Sequence, residues 1–253
     1  MTQFIRKASF AAAFSLMGLS SPALAFDITN MSEDDRSALR EEIRSYLLDN
    51  PEIIMEAVGV LEQRQADAQA MGDVELVRVN ADAIFDDGHS WVGGNPDGDI
   101  TLVEFTDYRC GFCRRAHAEV EQLLETDGNI RFIVKEFPIL GEESVLSSRF
   151  AIAVRQIAGD DSYKAAHDAL IELRGPVTPA TLERLAGDLD LDAAAILAQM
   201  DSDAVTQVIA ENHALAGRLQ ISGTPTFVIK DQMVRGYMPL ADMQSLLAQT
   251  RQQ

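Results

Sequence analysis

The sequence predicts an α/β domain with a helical block inserted between two strand pairs and a helical segment ahead of it. Three observations predict this. Residues 100–137 read strand, helix, strand; residues 142–219 keep a helical pattern throughout; strand-forming runs resume after residue 225. Of the 253 residues, 47% are apolar and 24% charged, which excludes collagen, low-complexity disorder and a polytopic membrane protein. Acidic residues outnumber basic ones by 40 to 21, and the formal charge of −19 repels phosphate backbones, so no nucleic-acid partner is expected.

The first element is an address. Arg6 and Lys7, the apolar run Ala8–Leu19 and the small-residue site Ala23-Leu24-Ala25 have the layout of a secretory signal peptide over residues 1–25. The run is too short for a membrane span, which needs about 20 apolar residues. Cleavage would send the remainder to the periplasm, where the cysteines meet an oxidising environment.

Residues 26–72 read as a helical segment. Ser32 and the acids Glu33, Asp34 and Asp35 suit a helix N-terminus, and Leu39, Ile43, Tyr46 and Leu47 recur on one face. Asn50-Pro51 restarts the pattern, and Ile53, Ile54, Ala57, Val58 and Leu61 form the next stripe. Either the main domain or further copies of the chain must cover these stripes.

The main domain is expected over residues 73–253. Gly88 and the run Gly93-Gly94-Asn95-Pro96-Asp97-Gly98 read as turns and an internal boundary. Ile100–Phe105 and Ile130–Phe137 read as buried strands flanking a helix over residues 111–126, a βαβ unit with a parallel pair. The helical insertion, about residues 141–219, breaks at Gly159-Asp160, at Gly175-Pro176 and near Gly187. Thr226–Ile229 and Met233–Arg235 suggest a hairpin, and a closing helix starts at Pro239.

Both cysteines of the chain lie in Cys110-Gly111-Phe112-Cys113, directly after a strand and at a helix start. Free N–H groups and the dipole at that helix end stabilise a thiolate, so the Cys110 pKa falls. A thiolate attacks disulfides, and a second thiol nearby resolves the mixed disulfide, which casts Cys110 as attacker and Cys113 as resolver. A structural disulfide of this span closes too small a ring to restrict the unfolded chain. Haem attachment needs a histidine where Arg114 stands, and zinc lacks a second cysteine pair. His117, four residues after Cys113, leaves a Cys-Cys-His site for Cu(I) as a rival.

The strand–CxxC–helix start, the helical insertion and Ser222-Gly-Thr-Pro-Thr-Phe-Val-Ile229 resemble the DsbA family of thioredoxin-fold thiol–disulfide oxidoreductases over about residues 83–250. Leu48-Asp-Asn-Pro-Glu52 resembles the ScsC-like and Com1-like branch, whose members can oligomerise through their N-terminal helices. The resemblance implies a thioredoxin-like fold and a cis Pro225, preceded by Thr224, facing the CxxC where clients bind. It also implies a buried pair of Glu104 and Lys135 beneath the active site, serving the resolving Cys113. No cofactor is implied and no metal is assigned. Expected partners are unfolded or misoxidised exported proteins, a membrane-bound redox partner and further copies of the chain, by resemblance a trimer.

Direction follows from the intervening pair. The strongly oxidising DsbA proteins carry Pro-His, whereas Gly111 and Phe112 bring neither a cation nor a polar donor to Cys110. Thr224 also resembles isomerases. The chain is therefore expected to be a disulfide isomerase or reductase, with a DsbA-type dithiol oxidase or a copper-tolerance protein using the same thiols as alternatives.

Overall fold

Ser32 begins the first helix with a reciprocal cap: its hydroxyl accepts from Asp35 N at 3.1 Å, while the Asp35 carboxylate accepts from Ser32 N at 3.3 Å. Helix α1 (Glu33–Asp49) follows, then α2 (Glu52–Val79), with Pro51 at the junction. The computed structural model describes residues 30–252, so the signal-peptide reading of residues 1–25 lies outside the described residues. The chain divides into two compact units, one ending at Val60 and the other spanning Leu61–Gln253. In the first unit, α1 buries none of its residues, and Ile43, Tyr46, Leu48, Ile54, Met55, Val58 and Val60 are exposed.

The second unit is built on one sheet. Its elements run α3 (Ala81–Phe85), β1 (Trp91–Gly94), β2 (Ile100–Thr106), α4 (Gly111–Asp127) and β3 (Ile130–Glu136). Five helices follow: α5 (Glu142–Ala158), α6 (Asp160–Glu172), α7 (Pro179–Asp188), α8 (Ala193–Met200) and α9 (Asp203–Arg218). The hairpin β4 (Thr226–Ile229) and β5 (Gln232–Arg235) and helix α10 (Leu240–Thr250) complete it. Strand order is β1-β3-β2-β4-β5; β2 and β3 are parallel and every other pairing is antiparallel. The expected βαβ unit, insertion, hairpin and closing helix are all present in that order.

Side chains alternate across the sheet, so each strand feeds two cores. Leu102, Phe132, Val134, Phe227 and Ile229 pack on one face with Val120 and Leu123 of α4 and Phe150 of α5. Val103, Phe105, Ile133 and Val228 pack on the other with Val77, Ile84, Leu215 and Leu219. Covering both faces explains why β2 and β3 read as continuous apolar runs rather than alternating ones.

Two expectations are corrected here. The glycine-rich stretch after residue 88 is not a boundary, because β1 lies within it as an edge strand paired to β3. Its glycines permit close approach: a Cβ on Gly93 would sit 2.0 Å from the Trp91 ring, and one on Gly98 would sit 2.6 Å from Arg131 N. The Glu104–Lys135 pair is not formed. Glu104 stands opposite Val134, and Lys135 stands opposite Phe105, so alternation sends the carboxyl and the ammonium to opposite faces. Lys135, fully buried, instead donates to Ala83 O at 2.8 Å and bonds the Asp87 carboxylate.

Burial pushes the Asp87 carboxyl up, but the Lys135 ammonium and two hydrogen bonds from Ser90 outweigh it and hold the pKa down to about 2. Burial lowers the Lys135 pKa, and Asp87 opposes that shift. Removing Lys135 takes the ammonium from a mostly buried carboxylate and leaves Asp87 with its Ser90 bonds and the His89 ring, whose Nε2 is 3.0 Å away. Lys135→Met is expected to cost about 3–5 kcal/mol of stability, read from denaturant unfolding; a loss below about 1 kcal/mol, the scale of an exposed pair, would contradict a buried pair.

Candidate active site

The site begins where β2 ends. Asp107, fully buried, ties the following turn to the chain after β3: its carboxylate accepts from Ile139 N at 2.8 Å, Leu140 N at 3.1 Å and Arg109 N at 2.8 Å. Arg114 secures the turn from the helix side, donating to Tyr108 O and Leu173 O, each at 3.1 Å. The turn delivers Cys110 to the N-cap of α4, with Cys113 inside its first turn. Across from them, the Thr224–Pro225 peptide is cis, and the Cys110 thiol donates to Thr224 O at 3.2 Å. The described residues thus bring Cys110, Cys113, Gly111, Phe112, Thr224 and Pro225 to one place.

The two sulfurs sit in unequal surroundings. A hydrogen bond from the Cys113 thiol is the largest influence on Cys110 and lowers its pKa; burial raises it, and hydrogen bonds from the Thr224 side chain and the Cys113 and Phe112 backbone lower it again, to about 5. That value lies between those of DsbA, about 3.5, and thioredoxin, about 7. Cys113 is 1% exposed and moves the other way, pushed far up by burial first, then by its bond to Cys110 and the charge of Glu104.

Glu104 lies on the sheet face shared with Leu102, Val134 and Phe227, in the core that holds both cysteines. Burial raises its pKa to about 8, against a lowering hydrogen bond from Thr106. A carboxyl that titrates near neutrality beside a buried thiol can take or return that thiol's proton. Lys135, on the opposite face, has no place in that exchange.

Tyr237, Arg115, Glu119 and Asp107 were not legible in the sequence as site residues, whereas Phe112 was. Phe112 is 60% exposed, and its ring tilts against Tyr237 with centroids 6.5 Å apart. Arg115 lies 4.4 Å above the Tyr237 ring, and the Tyr237 hydroxyl bonds Glu119. An apolar-aromatic rim therefore flanks the thiols. Tyr237 comes from the segment after β5, more than 120 residues away in sequence, and no local pattern announces it. Asp107 is one acid among 40, and only its three bonds mark it. His117 turns toward α6, with Nε2 3.3 Å from Asp168 Oδ1; among the described residues it groups with His167 and Asp168, so the Cys-Cys-His set is not assembled.

The surroundings of the sulfurs set a pH profile. In the reduced chain, iodoacetamide is expected to alkylate Cys110 with a rate midpoint near pH 5, while Cys113 stays unmodified through pH 9. Mass spectrometry of quenched time points reads both, and a Cys110 midpoint near the ordinary thiol value, about 8.5, would contradict the stabilised thiolate.

Comparison with known proteins agrees with this geometry. Residues 101–248 match the DSBA-like thioredoxin domain, and residues 35–68 match the copper resistance protein ScsC N-terminal domain. A thioredoxin-like oxidoreductase from Silicibacter pomeroyi DSS-3 is 40% identical, with a TM-score of 0.65 over 69% of this chain and 99% of its own. BcfH from Salmonella enterica Typhimurium is 28% identical, with a TM-score of 0.69 over 84% of this chain and 94% of its own. Among curated relatives, the Na(+)/H(+) antiporter NhaA 1 of Salinispora arenicola is 30% identical over 146 residues, 57% of this chain. The chain spans only 22% of that relative's length. With the family model covering more than half of its residues, the chain belongs to the DSBA-like thioredoxin domain family, a family of thiol–disulfide oxidoreductases.

Proposed function

We propose that the chain is a periplasmic disulfide isomerase or reductase acting on exported proteins through the Cys110–Cys113 dithiol. The observation that carries this reading is the asymmetry of the two sulfurs. Cys110 is an acidic thiol at a helix N-terminus beside the Thr224 carbonyl, and Cys113 is a buried thiol held protonated above Glu104.

The steps follow from that asymmetry. The Cys110 thiolate attacks one sulfur of a client disulfide, forming a mixed disulfide and releasing the client's other sulfur as a thiolate. Backbone groups around Thr224 and Pro225 pair with the extended client chain, and Phe112 with Tyr237 offers it an apolar rim. In isomerisation, a client thiolate attacks the mixed disulfide, restores the Cys110 thiolate and leaves a new client disulfide, with no net electron transfer. In reduction, Cys113 gives its proton to Glu104 and attacks Cys110, so the Cys110–Cys113 disulfide forms and the client leaves as a thiolate. Two electrons from a membrane-bound redox partner then reduce the disulfide, and Glu104 returns its proton to Cys113, leaving Cys110 as the thiolate.

The Cys110 pKa of about 5 also favours a second reading, a dithiol oxidase, because a stabilised thiolate makes the disulfide more oxidising. Refolding of scrambled ribonuclease and the reduction potential separate the two. The expected outcome is recovery of ribonuclease activity that Cys110→Ser abolishes, with a potential well below about −120 mV. A potential near that value with no gain over Cys110→Ser would select the oxidase.

The exposed apolar residues of α1 and α2 support self-association, by resemblance into a trimer, which would place several dithiols on one particle. Ile54, Val58 and Leu61 recur at helical spacing and are all exposed. Light scattering is expected to give an oligomer for the full chain and a smaller mass for Val58→Asp or for a chain beginning at Val74. Equal monomeric masses in all three would rule out this role for the helices.

A further inference from the structure

We infer that His117, His167 and Asp168 form a binding site for a divalent transition-metal ion of the zinc class, independent of the two thiols. His117 lies on α4, four residues beyond Cys113, and the other two are consecutive on α6. One ligand atom from each lies within 4.8 Å of the other two, and His117 Nε2 is 3.3 Å from Asp168 Oδ1. Two imidazoles and a carboxylate match a zinc-class ion; calcium and magnesium favour all-oxygen sets, and Cu(I) favours thiolates.

The second observation is how His167 is held. The residue is buried, 3% exposed, and Nδ1 lies 2.9 Å from the Tyr108 hydroxyl. Tyr108 has one proton and gives it to Glu136 Oε1 at 2.7 Å. While Glu136 is ionised and takes that proton, the hydroxyl accepts toward His167, and Nδ1 then carries the ring proton. Nε2 then carries the lone pair, on a ring 5.4 Å from that of His117. A histidine whose far nitrogen is fixed by a bond to a second residue is how proteins orient metal-ligating imidazoles.

Lys164 competes. Its ammonium lies 2.7 and 2.6 Å from the two Asp168 oxygens and 3.2 Å from Glu121 Oε2. A bound ion must share that carboxylate or displace the ammonium. Half-exposed Asp168 and the partly exposed His117 give an entry path, and the ion would clamp α4 to α6 of the insertion.

The test uses the full chain with its dithiol oxidised to the disulfide, so that sulfur cannot ligate. Zn²⁺ titrated by calorimetry is expected to bind one ion per chain and raise the melting temperature. Affinity should fall about tenfold or more in His117→Ala and in Asp168→Ala, the scale seen when a ligand's support is lost, and rise in Lys164→Gln. Co²⁺ should give d–d bands without a sulfur charge-transfer band. Absence of saturable uptake, or an affinity in His117→Ala and Asp168→Ala unchanged from that of the unsubstituted chain, overturns the proposal.

Discussion

Free backbone N–H groups at the start of α4 and the thiol of Cys113 face the sulfur of Cys110, and the solvation of that one thiolate is what the surrounding structure serves. Polar groups fixed in place stabilise charge without having to reorganise, which bulk water cannot match. The arrangement holds only if the turn carrying Cys110 stays rigid. Asp107 supplies that rigidity by gathering three N–H groups from two separate segments, and Arg114 adds two carbonyl bonds from the helix. On the opposite side the Thr224 carbonyl accepts from the Cys110 thiol while it is protonated, and the Thr224 side chain favours the thiolate.

The interior around this turn holds several ionisable groups, each accommodated by a different physical route. Asp87 and Lys135 stay charged because they neutralise one another. Glu136 accepts hydroxyl bonds from Tyr108, Tyr163 and Ser148, each at 2.7 Å, and burial still raises its pKa to about 7. Glu104 has the least support, and its proton is correspondingly easy to exchange at neutral pH. Support therefore decreases from the ion pair on one face of the sheet to the lone carboxyl beneath the thiols. That gradient separates groups that stabilise the fold from the one suited to chemistry.

The sequence was most readable where physics is local. Ser32 and Asp35 announced a helix start because capping involves residues three apart. The CxxC announced a reactive pair because a helix terminus acts within its first turn. Trp91–Gly94 misled because glycine serves both turns and tight packing, and only the Trp91 ring over Gly93 tells them apart. Lys135 misled for another reason: both charges sit inside apolar runs, and strand alternation alone does not say which faces of two strands coincide. That depends on register, which puts Lys135 beside Phe105 and not beside Glu104.

By itself, then, the chain determined the order of its strands and helices from β2 onward, the helix-tip position of both thiols and the apolar stripes of α1 and α2, since periodicity, caps and turns are properties of neighbouring residues. Tertiary structure alone decided that Lys135 belongs to Asp87, that Asp107 braces the reactive turn, that Tyr237 stands beside Phe112 and that His117 faces His167 and Asp168. Those partners are separated by roughly 30 to 125 residues, and contacts at such range are selected by the packing of whole elements, which no local pattern encodes.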